Sequence, residues 1–409
     1  MKIINSMNKV IEYTPKTKIQ KKAVQRKSSI QFLPQILSEF SKKEFFEFKE
    51  KKLKSAYLID ITHTLILKYY FRKENLFNLS SIVLKDRYGY LYNYYIKYLV
   101  EKGHLIMVHN YLKGKNSRVY KLSDNIIFDK INRYTNSDKV LIKKYHNMAL
   151  DVDREKEVSN KIRTDVKGKL VNDLNFVEIQ YDKSIFFLDS TLQDIDIYNR
   201  NKYSVECIKK NQIFYHFDNF GRFHTNFTIL KSFIRKNCLT IENDETIEFD
   251  IKNSQPLFLN LIIKEEDNSN ISESELDLFK YLTKQGLFYD FILSNTNIDN
   301  KKLAKEFIYK VLFGKNSKSK ADEMFKSIFP TIHSFIKGYK FKHKNYKILA
   351  HRLQSLESNL IFNQIVREIM EVSPHVKLIT IHDSIVCAKK DSEVVEKIFN
   401  QKLKEHFDF

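Results

Sequence analysis

Two aspartates carry the first chemical signal in this chain. Asp250 closes the alternating run Thr246-Ile247-Glu248-Phe249-Asp250-Ile251, and Asp383 lies within Val376-Lys377-Leu378-Ile379-Thr380-Ile381-His382-Asp383-Ser384-Ile385-Val386. Both runs read as strands from their apolar content and period, so each carboxylate is expected in a strand context. A single aspartate there is more often a turn residue or a satisfied structural acid; a pair suits a different task. Two carboxylates can hold two hard divalent cations, Mg2+ by preference with Mn2+ as a substitute. Such a pair of ions lowers the pKa of an attacking hydroxyl and neutralises a leaving pyrophosphate, which is the chemistry of nucleotidyl transfer.

Between the two aspartates lies Lys301-Lys302-Leu303-Ala304-Lys305-Glu306-Phe307-Ile308-Tyr309-Lys310-Val311-Leu312-Phe313-Gly314. Lys301, Lys305, Tyr309 and Phe313 are successive i, i+4 neighbours, so on a helix they form one stripe: cations for a triphosphate, then rings for a base. The same spacing also suits a plain amphipathic helix with its aromatics inward and its lysines outward.

Composition is compatible with a nucleic-acid partner. Lys and Arg number 70 against 50 Asp and Glu, a formal charge of +20, and the chain holds 23 Tyr and 32 Phe. Cations neutralise phosphates and flat rings stack on bases. Abundant lysine also serves simply to solvate a surface, so charge alone does not decide the matter. Cys207, Cys238 and Cys387 lie far apart and form no CxxC pair, which signals neither a zinc site nor a disulfide framework. No apolar run approaches the roughly 20 residues that span a bilayer, and the basic N-terminus lacks a secretory apolar core. The expectation is a cytoplasmic protein with no membrane partner.

The elements that must position these groups divide the chain into four. Residues 1–50 carry scattered Lys and Arg with no sustained period and read as a basic, flexible arm. Residues 51–125 give a helix over Ser55 to Phe71, a second over Gly89 to Lys102, and a hairpin. Its strands run through Leu105 to Tyr111 and Ser117 to Leu122, around the turn Lys113-Gly114-Lys115-Asn116. Helices followed by a basic-tipped hairpin resemble a winged helix, a module that contacts DNA in some proteins and docks other proteins elsewhere. Residues 126–215 read as a mostly helical connector or thumb-like region, and residues 216–409 hold the aspartates.

From about residue 215 to 409 the order of motifs resembles the polymerase core shared by family A DNA polymerases and phage-type single-subunit RNA polymerases. Gly221-Arg222 is similar to the family's Thr-Gly-Arg motif, with Phe220 in place of the Thr. Asp250-Ile251 stands at the first palm motif, and His382-Asp383 at the second. The helix from Lys301 to Gly314 follows the fingers pattern of a basic residue, three others, Lys, three others, an aromatic, three others, then Tyr-Gly, with Phe313 where Tyr is usual. The 133 residues from Asp250 to Asp383 leave room for a small fingers insertion.

The resemblance implies an α+β fold with a right-hand palm and fingers, an antiparallel palm sheet with helices. It implies that Asp250 and Asp383 hold both metal ions, with the Ile251 backbone carbonyl as a further ligand. Lys305 would bind the triphosphate and protonate departing pyrophosphate, Lys301 would grip the outer phosphates, and Tyr309 and Phe313 would stack on the base. Arg222 would touch the primer-template and His382 the primer terminus. The stretch His351 to Met370, with Arg352, Gln354, Glu357 and Asn363, is similar to the family's helix along the template minor groove, and Arg352 is assigned there to primer-template binding. Gln255, five residues after the first aspartate, would face the sugar. Its bulk and the missing hydroxyl at Phe313 favour deoxynucleotides; Ser384 after His382-Asp383 favours ribonucleotides.

The function implied is a compact DNA polymerase that accepts dideoxynucleotides through Tyr309, acts on a DNA primer-template with nucleoside triphosphates, and has no proofreading exonuclease. The rival enzymes are a single-subunit RNA polymerase, a primase and a reverse transcriptase, for which RNA would be a partner. The non-enzyme rival is an inert DNA-binding replication protein.

Overall fold

The computed structural model describes residues 3–4, 10–11, 29–72, 75–110, 118–144, 164–266, 270–316 and 318–407. Two compact units divide the chain, Met1–Lys156 and Glu157–Phe409.

In the first unit the helix Ser55–Arg72 buries Leu58, Ile59, Ile61, Leu65, Ile66 and Tyr70. The short strand Phe77–Asn78 follows, then helices Ser81–Tyr88 and Tyr92–Glu101, then strands Leu105–His109 and Val119–Leu122. The three strands form one antiparallel sheet with Val119–Leu122 in the middle. Ser80 caps the second helix, and Gly89 ends it at φ +73°, a conformation that costs glycine nothing. The expected hairpin turn at residues 113–116 lies outside the described residues.

One expectation for this half of the chain is corrected. Residues 29–50 are not an arm: Ser29–Pro34 pairs antiparallel with Ile131–Asn136, Phe45–Phe48 pairs with Lys51–Lys54, and Phe32, Leu33, Leu37 and Phe40 are buried. Lysines dilute the apolar pattern there, and the strand partner lies about a hundred residues away, beyond the reach of any local period. A buried network ties this pair to the first helix. Tyr88 donates to Asp60 at 2.7 Å, Gln31 donates to the other Asp60 oxygen, and Asn136 donates to Gln31 at 2.9 Å. The region 126–215 is mostly helical among its described residues, and it also supplies the strands Ile131–Asn136 and Val177–Ile179.

The second unit is built on a five-stranded antiparallel sheet. Its spatial order is Val177–Ile179, Leu239–Ile241, Asp244–Asp250, Ser384–Ala388, Leu378–Ile381. Between the third strand and the last two, the chain runs through helices that include Ser254–Glu265, Glu273–Lys284, Phe288–Ser294, Lys301–Phe313, Pro330–Lys342 and Ile348–Ser358. Helix Ser392–Phe407 covers one face of the sheet, where Phe399 meets Phe249 at 6.1 Å between ring centres. Side chains alternate along a strand, so Glu248 and Asp250 project from the other face. The architecture is α+β with antiparallel sheets, and no helix among the described residues is long and apolar enough to cross a membrane.

The single strand expected over Val376 to Val386 is a hairpin. Leu378–Ile381 turns back through His382-Asp383 into Ser384–Ala388, and His382 takes φ +53° to make the turn. Glycine or asparagine usually marks such a turn, and an unbroken apolar run conceals it. The far edge of the hairpin is held by a buried ion pair. Lys169 donates to Asp173 at 2.8 Å and to the Val376 carbonyl at 2.6 Å, and the Leu378 N–H donates to Asp173 at 3.0 Å.

Candidate active site

Sheet register brings the two aspartates together. Asp250 pairs with Ser384 across the antiparallel ladder, and the Ile251 N–H donates to the Asp383 carbonyl at 3.2 Å. Ladder geometry holds directly opposed Cα atoms about 4.5–5.5 Å apart, so Asp383, one residue before Ser384, borders Asp250. The left-handed backbone at His382 is uncommon for a side chain branched into a ring, and it fixes where Asp383 emerges from the turn. Glu248, two residues before Asp250 on the same face, accepts from the Ser384 hydroxyl at 3.0 Å and faces Arg235 at 3.4 Å.

Charge is concentrated here. Burial pushes the Asp250 carboxyl up to about 7, helped by Asp383 and Glu248, while Lys305 and Lys236 oppose the rise. Asp250 nevertheless keeps solvent contact, so water screens part of that effect even though protein crowds it from several sides. Asp383 is also raised, by burial first, with its own backbone N–H and then Lys305 acting against it. Neighbouring carboxylates resist ionising together unless a cation intervenes.

That cationic element is the helix Lys301–Phe313. Asn300 caps its start, accepting from the Leu303 N–H at 3.0 Å. Ala304, Ile308, Val311 and Leu312 form its buried side, whereas Lys301 and Lys305 are exposed and Tyr309 is half-buried. Lys301, Lys305 and Tyr309 are therefore set apart from the core-facing stripe. Tyr309 packs against Phe313 at 5.0 Å, and the Lys305 ammonium stands 5.6 Å from the Tyr309 ring centre. Burial raises the Tyr309 phenol, and Tyr289, Asp383, Glu357 and Asp250 raise it further, which puts this ring beside the carboxylates. Phe313 lies partly against the core. Lys301 pairs with Asp290 at 2.6 Å, with both side chains exposed. At the far end the buried Lys340 donates to the carbonyls of Val311 and Gly314 at 2.6 and 2.9 Å. Gly314 permits that close: a Cβ there would stand 2.3 Å from the Lys310 carbonyl oxygen.

Gln255 begins the helix Ser254–Glu265 and donates to Glu357, as does the Ser254 hydroxyl at 2.7 Å. Burial and then Asp383 lift Glu357 to about 7, against the Ser254 hydrogen bond and the Arg222 charge. Arg222 follows a tight turn with Gly221 at φ +88° and stands 3.5 Å from Asp218. Burial alone would raise Asp218, but His224, the backbone N–H groups of Arg222 and Phe220 and the Arg222 charge together hold it down to about 2. His382 meets His224 edge to face at 5.8 Å, and burial, then Arg222, His224 and Arg235, lower it to about 4.

Of the residues singled out from sequence, Asp250, Asp383, Lys305, Tyr309, Gln255, Arg222 and His382 converge on one cleft. Ile251 is buried beneath it. Arg352 does not join them. It forms an exposed 2.7 Å ion pair with Glu265 at the opposite end of the Gln255 helix, about 15 Å from Gln255 along the axis. Sequence reasoning overlooked Glu248, which the strand period could have flagged, and Tyr289, which no motif flags. The helix bearing Glu357 ends at Ser358 and passes into a π-helical stretch, Asn359–Val366. Its wider turns break the regular period from which a register is read.

Arg235 Nε, Asn253 Nδ2, Gln255 Oε1 and His382 Nδ1 are buried here without a hydrogen bond, as are polar atoms in other parts of the chain, and each is costly unless a ligand or water uses it. Among the described residues, no group of three or more His, Cys, Asp and Glu side chains is arranged to hold a metal ion. The donors at the paired aspartates are all oxygens, the set a hard cation prefers, and unrelieved repulsion is what such a cation relieves. Comparison with protein-family models and with curated proteins gives no match.

Proposed function

We propose that the second unit is a template-directed nucleotidyltransferase of the palm-and-fingers type, a compact DNA polymerase in preference to an RNA polymerase. The observation that carries this reading is the meeting of Asp250, at the end of its strand, with Asp383, in the turn just before the neighbouring strand, with Lys305 close enough to oppose the rise in both carboxyls. Asp250 and Asp383, with the Ile251 backbone, would hold two Mg2+ ions, for which Mn2+ could substitute. Bound there, the ions supply a more acidic 3′-hydroxyl and a neutralised pyrophosphate.

The chain's own residues do the rest by position. Lys305 binds the triphosphate and meets the charge that develops on the leaving group. Lys301 exchanges its surface partner Asp290 for outer phosphates at small cost, because an exposed ion pair contributes little. Tyr309 and Phe313 offer neighbouring rings to the base, and pairing with the template selects it. Arg222, paired with Asp218, and His382, whose buried Nδ1 has no hydrogen bond, line the primer side.

In the first unit, the order of helix, short strand, two helices and hairpin supports reading residues 51–125 as a winged helix that contacts DNA. Primer extension tests the main reading: the purified chain, a labelled primer-template and Mg2+ are supplied with deoxynucleotides or with ribonucleotides. Extension with dNTPs is expected; no extension with either set overturns the proposal.

A further inference from the structure

Gln255 is 6% exposed and Glu357 is 2% exposed, 102 positions apart in sequence and joined by the hydrogen bond from Gln255 Nε2 to Glu357 Oε2. The Ser254 hydroxyl donates to the same Oε2. Two donors converge on one oxygen, so Oε2 acts as an acceptor whether or not the other carboxyl oxygen carries a proton. The amide orientation follows from this network: nitrogen faces Glu357, and Oε1 faces away from it without a partner. A buried carboxyl is costly compared with an apolar residue of similar volume, and Ser254 and Gln255 could satisfy their polar groups with less. Its presence next to the paired aspartates has a physical explanation if a rigid Gln255 is what the cleft needs.

The geometry points to Glu357 as the positioning residue that locks the Gln255 side chain, so that the pair, rather than Gln255 alone, discriminates the sugar of the incoming nucleotide. This rests on the polymerase reading and deepens it. A free glutamine samples several rotamers and yields to a differently substituted sugar. Held by Glu357 at one end of its amide, it presents a fixed wall.

Single-nucleotide incorporation of dNTP and of rNTP measures the wild-type sugar preference. Glu357→Met, apolar and of similar length, is expected to shrink that preference by about tenfold, a scale at which one pocket contact discriminates. Glu357→Gln keeps an acceptor oxygen and should retain most of the preference. In a Gln255→Leu background, Glu357→Met should change the preference no further, which a general packing defect would not reproduce. Thermal melting checks folding; should Glu357→Met fail to fold, Glu357→Asp, whose carboxylate falls short of Gln255, takes its place. An unchanged preference in the Met variant, an equal loss in the Gln255→Leu background, or a wild type without sugar preference overturns the inference. A wild type that incorporates neither nucleotide removes the polymerase reading and this inference with it.

Discussion

Asp250 stands opposite Ser384 in the antiparallel register, and that single pairing sets it beside Asp383. The strand period does the remainder. Phe249 points into the covered face against Phe399, so Asp250 and Glu248 must point into the cleft. A one-residue slip would bury both acids and expose the phenylalanine, so the apolar packing under the sheet enforces the position of the carboxylates above it.

Metal affinity should depend steeply on pH. Asp250 titrates near 7, Asp383 is raised as well, and cation binding requires both ionised, so Mg2+ affinity should climb as pH passes from 6 towards 8. Without metal the effect on stability has the opposite sign. A carboxyl with a raised folded-state pKa favours the fold fully below its unfolded value of 3.8 and loses that contribution as pH rises through about 7. Thermal melts of wild type and Asp250→Asn in chelator, compared at pH 5 and pH 8, should show the variant gaining relative to wild type at the higher pH. An equal response of the two proteins would contradict the assignment.

Lys305 should matter through its charge. Lys305→Ala is expected to lower nucleotide incorporation by roughly 100-fold or more, the scale seen when a preorganised charge partner is removed. Loss of the opposing cation should also move the Asp250 midpoint higher. Lys305→Arg should keep a substantial part of both. Steady-state kinetics across pH separate these outcomes, and an alanine variant with a wild-type profile would remove Lys305 from the site.

Much of this was legible in the sequence, and the failures have identifiable causes. The strand ending at Asp250 shows its period openly, because one face is covered and the other open. The turn at His382-Asp383 is hidden: both hairpin strands are buried throughout, so no polar alternation and no glycine punctuates the run. The surface pairing of Arg352 with Glu265, 87 positions away, is likewise a contact that no local pattern reveals. The contacts of Glu357 with Ser254 and Gln255 span about a hundred positions, which no local period reveals. The folding of residues 29–50 depends on a strand partner at 131–136, which only tertiary structure supplies.

The buried pair Lys169 and Asp173 should support the sheet edge next to the hairpin. Asp173→Ala leaves the Lys169 ammonium buried without its carboxylate and the Leu378 N–H without an acceptor, a loss of about 3–5 kcal/mol. Urea denaturation measures it. Adding Lys169→Met to that variant should recover a large share of the stability, since the stranded charge is removed. Two independent, additive losses would contradict this account.

Gly314 should tolerate no side chain. A Cβ 2.3 Å from the Lys310 carbonyl oxygen forces the end of the Lys301–Phe313 helix to shift, and with it the two bonds from Lys340. Gly314→Ala is expected to cost about 2 kcal/mol or more in urea denaturation. A neutral substitution would show that the helix end is loosely held.

The central claim is that Asp250 and Asp383 act as one metal-binding pair. Magnesium-dependent extension of a labelled primer-template by wild type, Asp250→Asn and Asp383→Asn tests it most directly, with binding to the same primer-template measured alongside. The account predicts extension by wild type, a loss of roughly 1,000-fold or more in either variant, and nearly unchanged binding in both. Extension by either variant at the wild-type rate would contradict it.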